Sequence, residues 1–236
     1  MRLSLTEAVE YLGVSERTAR RWIKDRGLPV HRAEERLFVN PVELWEWAVE
    51  QNVPVSPRLL EQARRSPDPV APISTLLEAG GIHHEVPGRT RREVLRAVVA
   101  RLPLPGSVDR EFLATALAGR EAMGSTGIGH GIAIPHVRNP IVLQVEDPLV
   151  SLCLLTHAVD FGAIDGQPVH ALFTVISPTV PMHLRMLAAL GFLLNDPELR
   201  RRLQERAPSD RLLDRVRFLE RSATPRPGEA GGEAAR

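Results

Sequence analysis

A single cysteine, Cys153, occurs in 236 residues, which excludes an intramolecular disulfide framework and a multi-cysteine metal site. Aromatic residues are scarce, at 4%, and tyrosine and lysine occur once each, as Tyr11 and Lys24. An excess of charge of one sign is missing too: thirty Lys and Arg stand against twenty-nine Asp and Glu, a formal net charge of +1. A chain so balanced has no global field to hold it on nucleic acid or on an anionic membrane, so any such binding has to come from a local patch. Long hydrophobic runs are also lacking. The longest nearly unbroken one, residues 186–194, is about half of the roughly 20 residues that span a bilayer. The N-terminus reaches Glu7 before the apolar segment of a leader could form, and the expectation is a cytoplasmic chain with no membrane attachment.

What is present is unevenly placed. Apolar residues make up 43% of the chain, enough to build a core for one large domain or two smaller ones. All three tryptophans, Trp22, Trp45 and Trp47, precede residue 50, whereas seven of the eight histidines follow it. Two domains of different origin are the natural reading. Between them Pro54, Pro57, Pro67, Pro69 and Pro72 surround Arg64-Arg65, a spacing that disfavours continuous helix or strand. The expected division is a first domain over 1–52, a linker over 53–70 with one short helical turn at 59–63, a second domain over 71–221, and a disordered tail over 222–236. The tail has no apolar periodicity and carries Pro225, Pro227, Gly228, Gly231 and Gly232.

In the first domain, Ser4 or Thr6 can cap a helix with Ala8, Val9, Tyr11 and Leu12 on one face, and Gly13 ends it. Ser15 caps a second helix, predicted over 16–26, whose inward stripe is Ala19, Trp22 and Ile23. Its outward positions are Arg17, Thr18, Arg20, Arg21 and Lys24. A helix, a short glycine-containing turn and a basic second helix form the arrangement in which the second helix enters the DNA major groove. The run from Leu5 to Trp22 resembles the excisionase and MerR-like winged helix-turn-helix family. On that resemblance residues 28–31 and 36–39 are the two wing strands, and Asn40-Pro41 opens a third helix holding Trp45 and Trp47. Arg17, Thr18, Arg20, Arg21 and Lys24 are then the DNA-binding residues. Residues 1–50 nonetheless carry eight Lys and Arg against nine Asp and Glu. Phosphate contacts dominate affinity for DNA and each needs a cation, so a lone module this balanced binds weakly and calls for a homodimer. The competing reading of the segment is a protein-docking module with a solvated charged face.

From residue 70 onward, helical spacing over 89–102 and 109–118 precedes short apolar strands over 132–134, 150–155 and 171–176. Helical patterns return over 181–194, 197–205 and 210–221. The fold class is α/β, a mixed sheet sandwiched by helices, joined to a small winged helix-turn-helix domain. The chemistry concentrates between Arg120 and Arg138. Gly124, Gly127, Gly129 and Gly131 allow close turns, and Ser125 and Thr126 offer donors for an anion. Pro135 ends a strand and presents His136 at its edge, where neutral imidazole is suited to nucleophilic attack.

This run, from Thr126-Gly127-Ile128-Gly129 to Ala133-Ile134-Pro135-His136, resembles the active-site signature of the type 2 (mannitol/fructose) IIA domains of the bacterial phosphotransferase system, most closely the nitrogen-regulatory branch. The resemblance implies that His136 accepts a phosphoryl group from the phosphohistidine of the carrier HPr or its nitrogen-branch counterpart. Arg120, sixteen positions upstream, matches the family's arginine and is followed as expected by Glu121. His183 matches its second histidine, and Ser125 and Thr126 are the phosphate-binding candidates. Two departures are Val137, where glycine is common, and His130, where asparagine is frequent.

No cofactor is expected, because phosphoryl transfer between histidines rests on positioning and electrostatics. His83-His84 are read as a loop pair without the partners a metal site needs. His31, His157 and His170 are read as ordinary wing, strand-end and loop residues, and Cys153 as a packed core thiol. Three functions compete: a phosphorylatable regulator controlling a DNA-binding module, a sugar-transport component passing phosphate to a IIB partner, and a non-enzymatic docking protein. The first is favoured.

Overall fold

The structure, a computed structural model, describes residues 3–33, 36–51, 53–54, 56, 70–137 and 145–223. Most of the expected linker with its helical turn at 59–63, Arg138, and the tail from 224 onward lie outside the described residues.

The N-terminal module begins with β1 (Leu3–Ser4) and α1 (Leu5–Leu12). Ser4 caps α1: its hydroxyl accepts from the Glu7 backbone N–H, and the Glu7 carboxylate accepts from the Ser4 backbone N–H at 2.7 Å. This reciprocal box satisfies two N–H groups that the helix start leaves unpaired, and the bonds donated to the Glu7 carboxylate by the Ser4 N–H and then the Ser4 hydroxyl hold it below its ordinary value. Ser15 caps α2 (Glu16–Asp25) in the same manner by accepting from the Thr18 N–H. Then come β2 (His31–Ala33), β3 (Arg36–Val39) and α3 (Pro41–Glu50). The strands form an antiparallel sheet in the order β1-β3-β2. The first wing strand starts at His31 rather than at 28. Leu28 is buried and its N–H bonds the Trp22 carbonyl, so it closes the end of α2 instead of pairing in the sheet. Trp22 and Trp47 meet with ring centroids 5.3 Å apart, and the Trp47 indole N–H donates to the Arg26 carbonyl, tying α3 to the end of α2.

The C-terminal module contains α4 (Ile73–Gly80), β4 (Ile82–Val86), α5 (Arg91–Arg101), α6 (Arg110–Ala122), β5 (Gly127–Gly129), β6 (Ile132–Ala133), β7 (Leu149–Val159) and β8 (Val169–Ile176). It closes with α7 (Val180–Leu194), α8 (Pro197–Gln204) and α9 (Ser209–Ala223). The sheet order is β4-β7-β8-β6-β5, with an antiparallel β7–β8 pair at the centre, β4 parallel to β7 and β6 parallel to β8.

Helices cover both faces, which is why the central strands read as continuous apolar runs. On one face α5 and α6 bury Val94, Val98, Leu113 and Leu117 against Cys153, Leu172 and Ile176. On the other, α4, α7, α8 and α9 bury Leu76, Met186, Leu190 and Leu203 against Leu152, Leu154 and Phe173. Among the described residues no helix is long and apolar enough to cross a membrane.

Four local expectations change. His83 and His84 sit in the edge strand β4, where His83 lies opposite Cys153 of β7; the strand is polar enough to read as loop because it is only partly covered. His170 belongs to β8 rather than to a loop. The helix expected to stop at 118 runs on to Ala122, placing Arg120 and Glu121 in its last turn. Gly127–Gly129, read as part of a glycine loop, is a strand paired with β6.

Candidate functional site

His136 follows β6 and Pro135 and pairs as an isolated parallel bridge with Val175 of β8, the Val175 N–H donating to the Pro135 carbonyl. It is therefore held against the sheet and is only 4% exposed. The expectation that it is displayed at a free edge is corrected: the bridge continues the pairing beyond the proline instead of releasing the chain.

The Nδ1 of His136 lies 2.6 Å from the Ile134 carbonyl oxygen. A carbonyl can only accept, so Nδ1 carries the proton and Nε2 keeps the lone pair when the ring is neutral. This bond spans two residues, and it fixes both tautomer and ring direction.

The second imidazole, His183, stands in the first turn of α7 with its ring centroid 5.1 Å from that of His136. It is fully buried, and its Nδ1 is 2.9 Å from the Ser177 hydroxyl. Thr179 caps this helix by accepting from the Met182 N–H, and no acidic residue occupies its first turn. The positive end of the helix dipole therefore remains unneutralised beside the two histidines, as an anion would require.

Arg120 and Glu121 shape the loop that leads to His136. The Arg120 guanidinium donates to the Gly124 carbonyl at 2.8 Å. The buried Glu121 carboxylate accepts from both the backbone N–H and the hydroxyl of Thr126. The Thr126 carbonyl in turn accepts from the Ile134 N–H, and the Ile134 carbonyl binds His136. An unbroken hydrogen-bonded path thus runs from the end of α6 to the imidazole. The hydroxyls of Ser125 and Thr126, considered above as anion donors, point elsewhere here: Ser125 donates to the Phe161 carbonyl at 2.6 Å and Thr126 to Glu121. They set the shape of the loop.

The β5–β6 connection is a two-residue turn through His130 and Gly131, at φ 54° and 71°. Positive φ at both positions matches the twist of the flanking strands, and histidine, like asparagine, tolerates that region better than most residues. The His130 N–H donates to Asp165, and with the Gln167 N–H it holds that carboxyl below its ordinary value.

Residues 75–217 match the family model described as "Phosphoenolpyruvate-dependent sugar phosphotransferase system, EIIA 2". The chain belongs to this family. Its residues 2–52 match a helix-turn-helix domain model. The EIIA 2 segment is 34% identical over 145 residues to the "Nitrogen regulatory protein" of Pseudomonas aeruginosa, an alignment spanning 59% of this chain and 91% of that one. It is 32% identical over 145 residues to the "PTS system fructose-specific EIIABC component" of Bacillus subtilis, where it spans 60% of this chain but only 22% of the relative. Among solved structures, the nitrogen regulatory protein IIA-Ntr of Neisseria meningitidis superimposes with a TM-score of 0.54 at 23% identity, covering 61% of this chain and 98% of that one, a likeness of fold.

In this EIIA 2 chain the structure brings His136 and His183 into ring contact and links Arg120 to them through the loop. In the N-terminal module Arg17, Arg20, Arg21 and Lys24 are exposed on α2. Arg20 is held by Glu16 at 2.7 Å, while the Thr18 hydroxyl lies 2.9 Å from that of Ser15 and so belongs to the cap.

Sequence reasoning missed the roles of Glu121 and Ser177. Glu121 has a signal, an acidic residue five positions before Thr126. Ser177 has none, since its meeting with His183 depends on the turn between β8 and α7.

Proposed function

We propose that this EIIA-type chain accepts a phosphoryl group on Nε2 of His136 from the phosphohistidine of HPr or its nitrogen-branch counterpart, and that this state governs DNA binding by the N-terminal module. The division that goes with this reading is 1–52 for DNA binding, 53–70 as linker, 71–221 for phosphoryl acceptance and 222–236 as tail. The observation that carries it is the bond from Nδ1–H of His136 to the Ile134 carbonyl, which reserves Nε2 as the nucleophile.

In the transfer, the Nε2 lone pair attacks phosphorus in line while the phosphorus–nitrogen bond of the donor breaks. The donor ring, protonated on its other nitrogen, keeps that electron pair and leaves as neutral imidazole. His136 retains its Nδ1 proton. Arg120, His183 and the start of α7 supply positive potential for the phosphoryl oxygens.

The regulatory reading is preferred to sugar transport because the helix-turn-helix match accompanies likeness to proteins named for nitrogen regulation. Incubation with phosphorylated HPr is expected to give an acid-labile adduct that is lost in His136→Ala; equal labelling of that variant refutes the acceptor. DNA selection with the full chain, phosphorylated and unphosphorylated, tests the second half. Recovery of no salt-sensitive site in either state refutes DNA binding, because counterion release makes such binding fall with salt.

A further inference from the structure

Trp45 lies on α3, yet it packs against apolar residues of both modules. On its own side it joins the core that includes Leu44 and Ala48, and across the boundary it covers Val180 and Leu184 of α7. Among the described residues no other side chain packs against apolar clusters of both modules. Val180 and Leu184 are 5% and 1% exposed and belong to neither core of the sheet; Trp45 is the partly buried apolar side chain that packs on them.

They stand one turn apart on α7, and His183 lies between them in sequence, about 60° around the helix from Val180 and about 100° from Leu184. The same first turn therefore meets His136 and the N-terminal module on neighbouring sectors of its surface. A phosphohistidine of another protein has to bring phosphorus in line to Nε2 of His136, a residue only 4% exposed in this arrangement.

We infer that the N-terminal module, docked through Trp45 on Val180 and Leu184, covers the phosphoacceptor face, so that docking and phosphoryl transfer exclude each other. This rests on the reading of His136 as acceptor and adds the route by which the two modules communicate. Because coupling is reciprocal, phosphorylation weakens docking by the same factor by which docking disfavours the phosphorylated form. The basic positions of α2 are exposed while α3 is docked. Release therefore changes the freedom of the module to position itself on DNA, rather than unmasking its cations.

The test uses the full chain and diethyl pyrocarbonate, a small reagent that acylates neutral imidazole and needs no phosphoryl chemistry, so a failure of the acceptor assignment would leave this readout intact. Peptide mapping follows the rate at His136, with the exposed His157 as internal reference. Trp45→Ala removes the docking ring. Val180→Gln makes the patch beneath it polar without adding a charge to the first turn of α7. Truncating a buried aromatic anchor commonly weakens an interface by about tenfold or more, and both variants are expected to raise the His136 rate, relative to His157, to that extent. An unchanged rate in Val180→Gln overturns the inference whatever Trp45→Ala does, since that substitution leaves the core of the N-terminal module untouched and adds no charge beside the histidines.

Discussion

Removing the hydroxyl of Ser177 tests whether His183 acts as a held group or as filler. Ser177 and His183 are both fully buried and joined at 2.9 Å. Ser177→Ala leaves Nδ1 of a buried imidazole without this partner, at a cost of about 1–3 kcal/mol. The loss reads as a lower urea midpoint at unchanged slope. The second consequence concerns the rate. His183 lies 5.1 Å from His136, centroid to centroid, and without the Ser177 bond its ring is held less firmly in the orientation proposed to serve the phosphoryl oxygens. Misplacement on the scale of an ångström costs about ten- to a hundredfold in such transfers. Labelling of His136 by phosphorylated HPr is therefore expected to lose kcat to that degree with KM for the carrier nearly constant, because Ser177 is fully buried. A stability loss with an unaltered labelling rate refutes the positioning role, and an unaltered urea midpoint refutes the energetic value of the bond.

Arg120→Ala removes the cation proposed to meet the phosphoryl oxygens and the anchor on Gly124, and labelling is expected to slow by about ten- to a hundredfold in a stopped time course. Burial pushes the Cys153 thiol up to about 11, so the native chain resists a thiol reagent at pH 8 and reacts once urea unfolds it. Its neutral form stabilises the fold below the ordinary thiol value, and that contribution is lost as pH rises through the folded value. Asp196 caps α8 and binds Arg215 of α9 at 2.6 Å, and the Arg215 bond holds its carboxyl below the ordinary value. Asp196→Ala is expected to cost about 1–3 kcal/mol near neutrality. The difference from wild type in urea titrations shrinks as pH falls below about 4, where the unfolded carboxylate, and then the folded one, takes up its proton. Gly80→Ala drives a methyl into the Val150 carbonyl, where the end of α4 crosses β7. A drop of about 1–3 kcal/mol in thermal or urea unfolding checks it.

Much of the fold was legible because its signals are local. Ser4, Ser15 and Thr179 cap helices within three residues of the N–H groups they accept from. The apolar runs of β7 and β8 announce strands covered on both faces. The less legible elements were those whose residues look polar or glycine-rich in isolation: β4 with His83 and His84, and β5 with Gly127 and Gly129. Their pairing energy comes from neighbours far away in the chain, β7 in one case and the returning β6 in the other. In the candidate site, the glycine run and Pro135-His136 were visible as a motif. The assignment of Ser125 and Thr126 to loop shape instead required knowing where Phe161 and Glu121 stand.

The sequence by itself determined the two-part character of the chain, the helix-turn-helix pattern and the sandwiched sheet, and it singled out His136 as the candidate phosphoacceptor. Residue type, capping and periodicity act over a few positions and survive without tertiary context. Only the tertiary structure decided that His136 is buried, that its Nδ1 bonds the Ile134 carbonyl, that Ser177 holds His183, and that Trp45 joins α3 to α7. The Ile134 and Ser177 bonds are short in sequence but need the turns that the sheet imposes, while the burial of His136 and the Trp45 contact depend on elements separated by tens of residues; no local propensity encodes the distance between two rings brought together by a sheet.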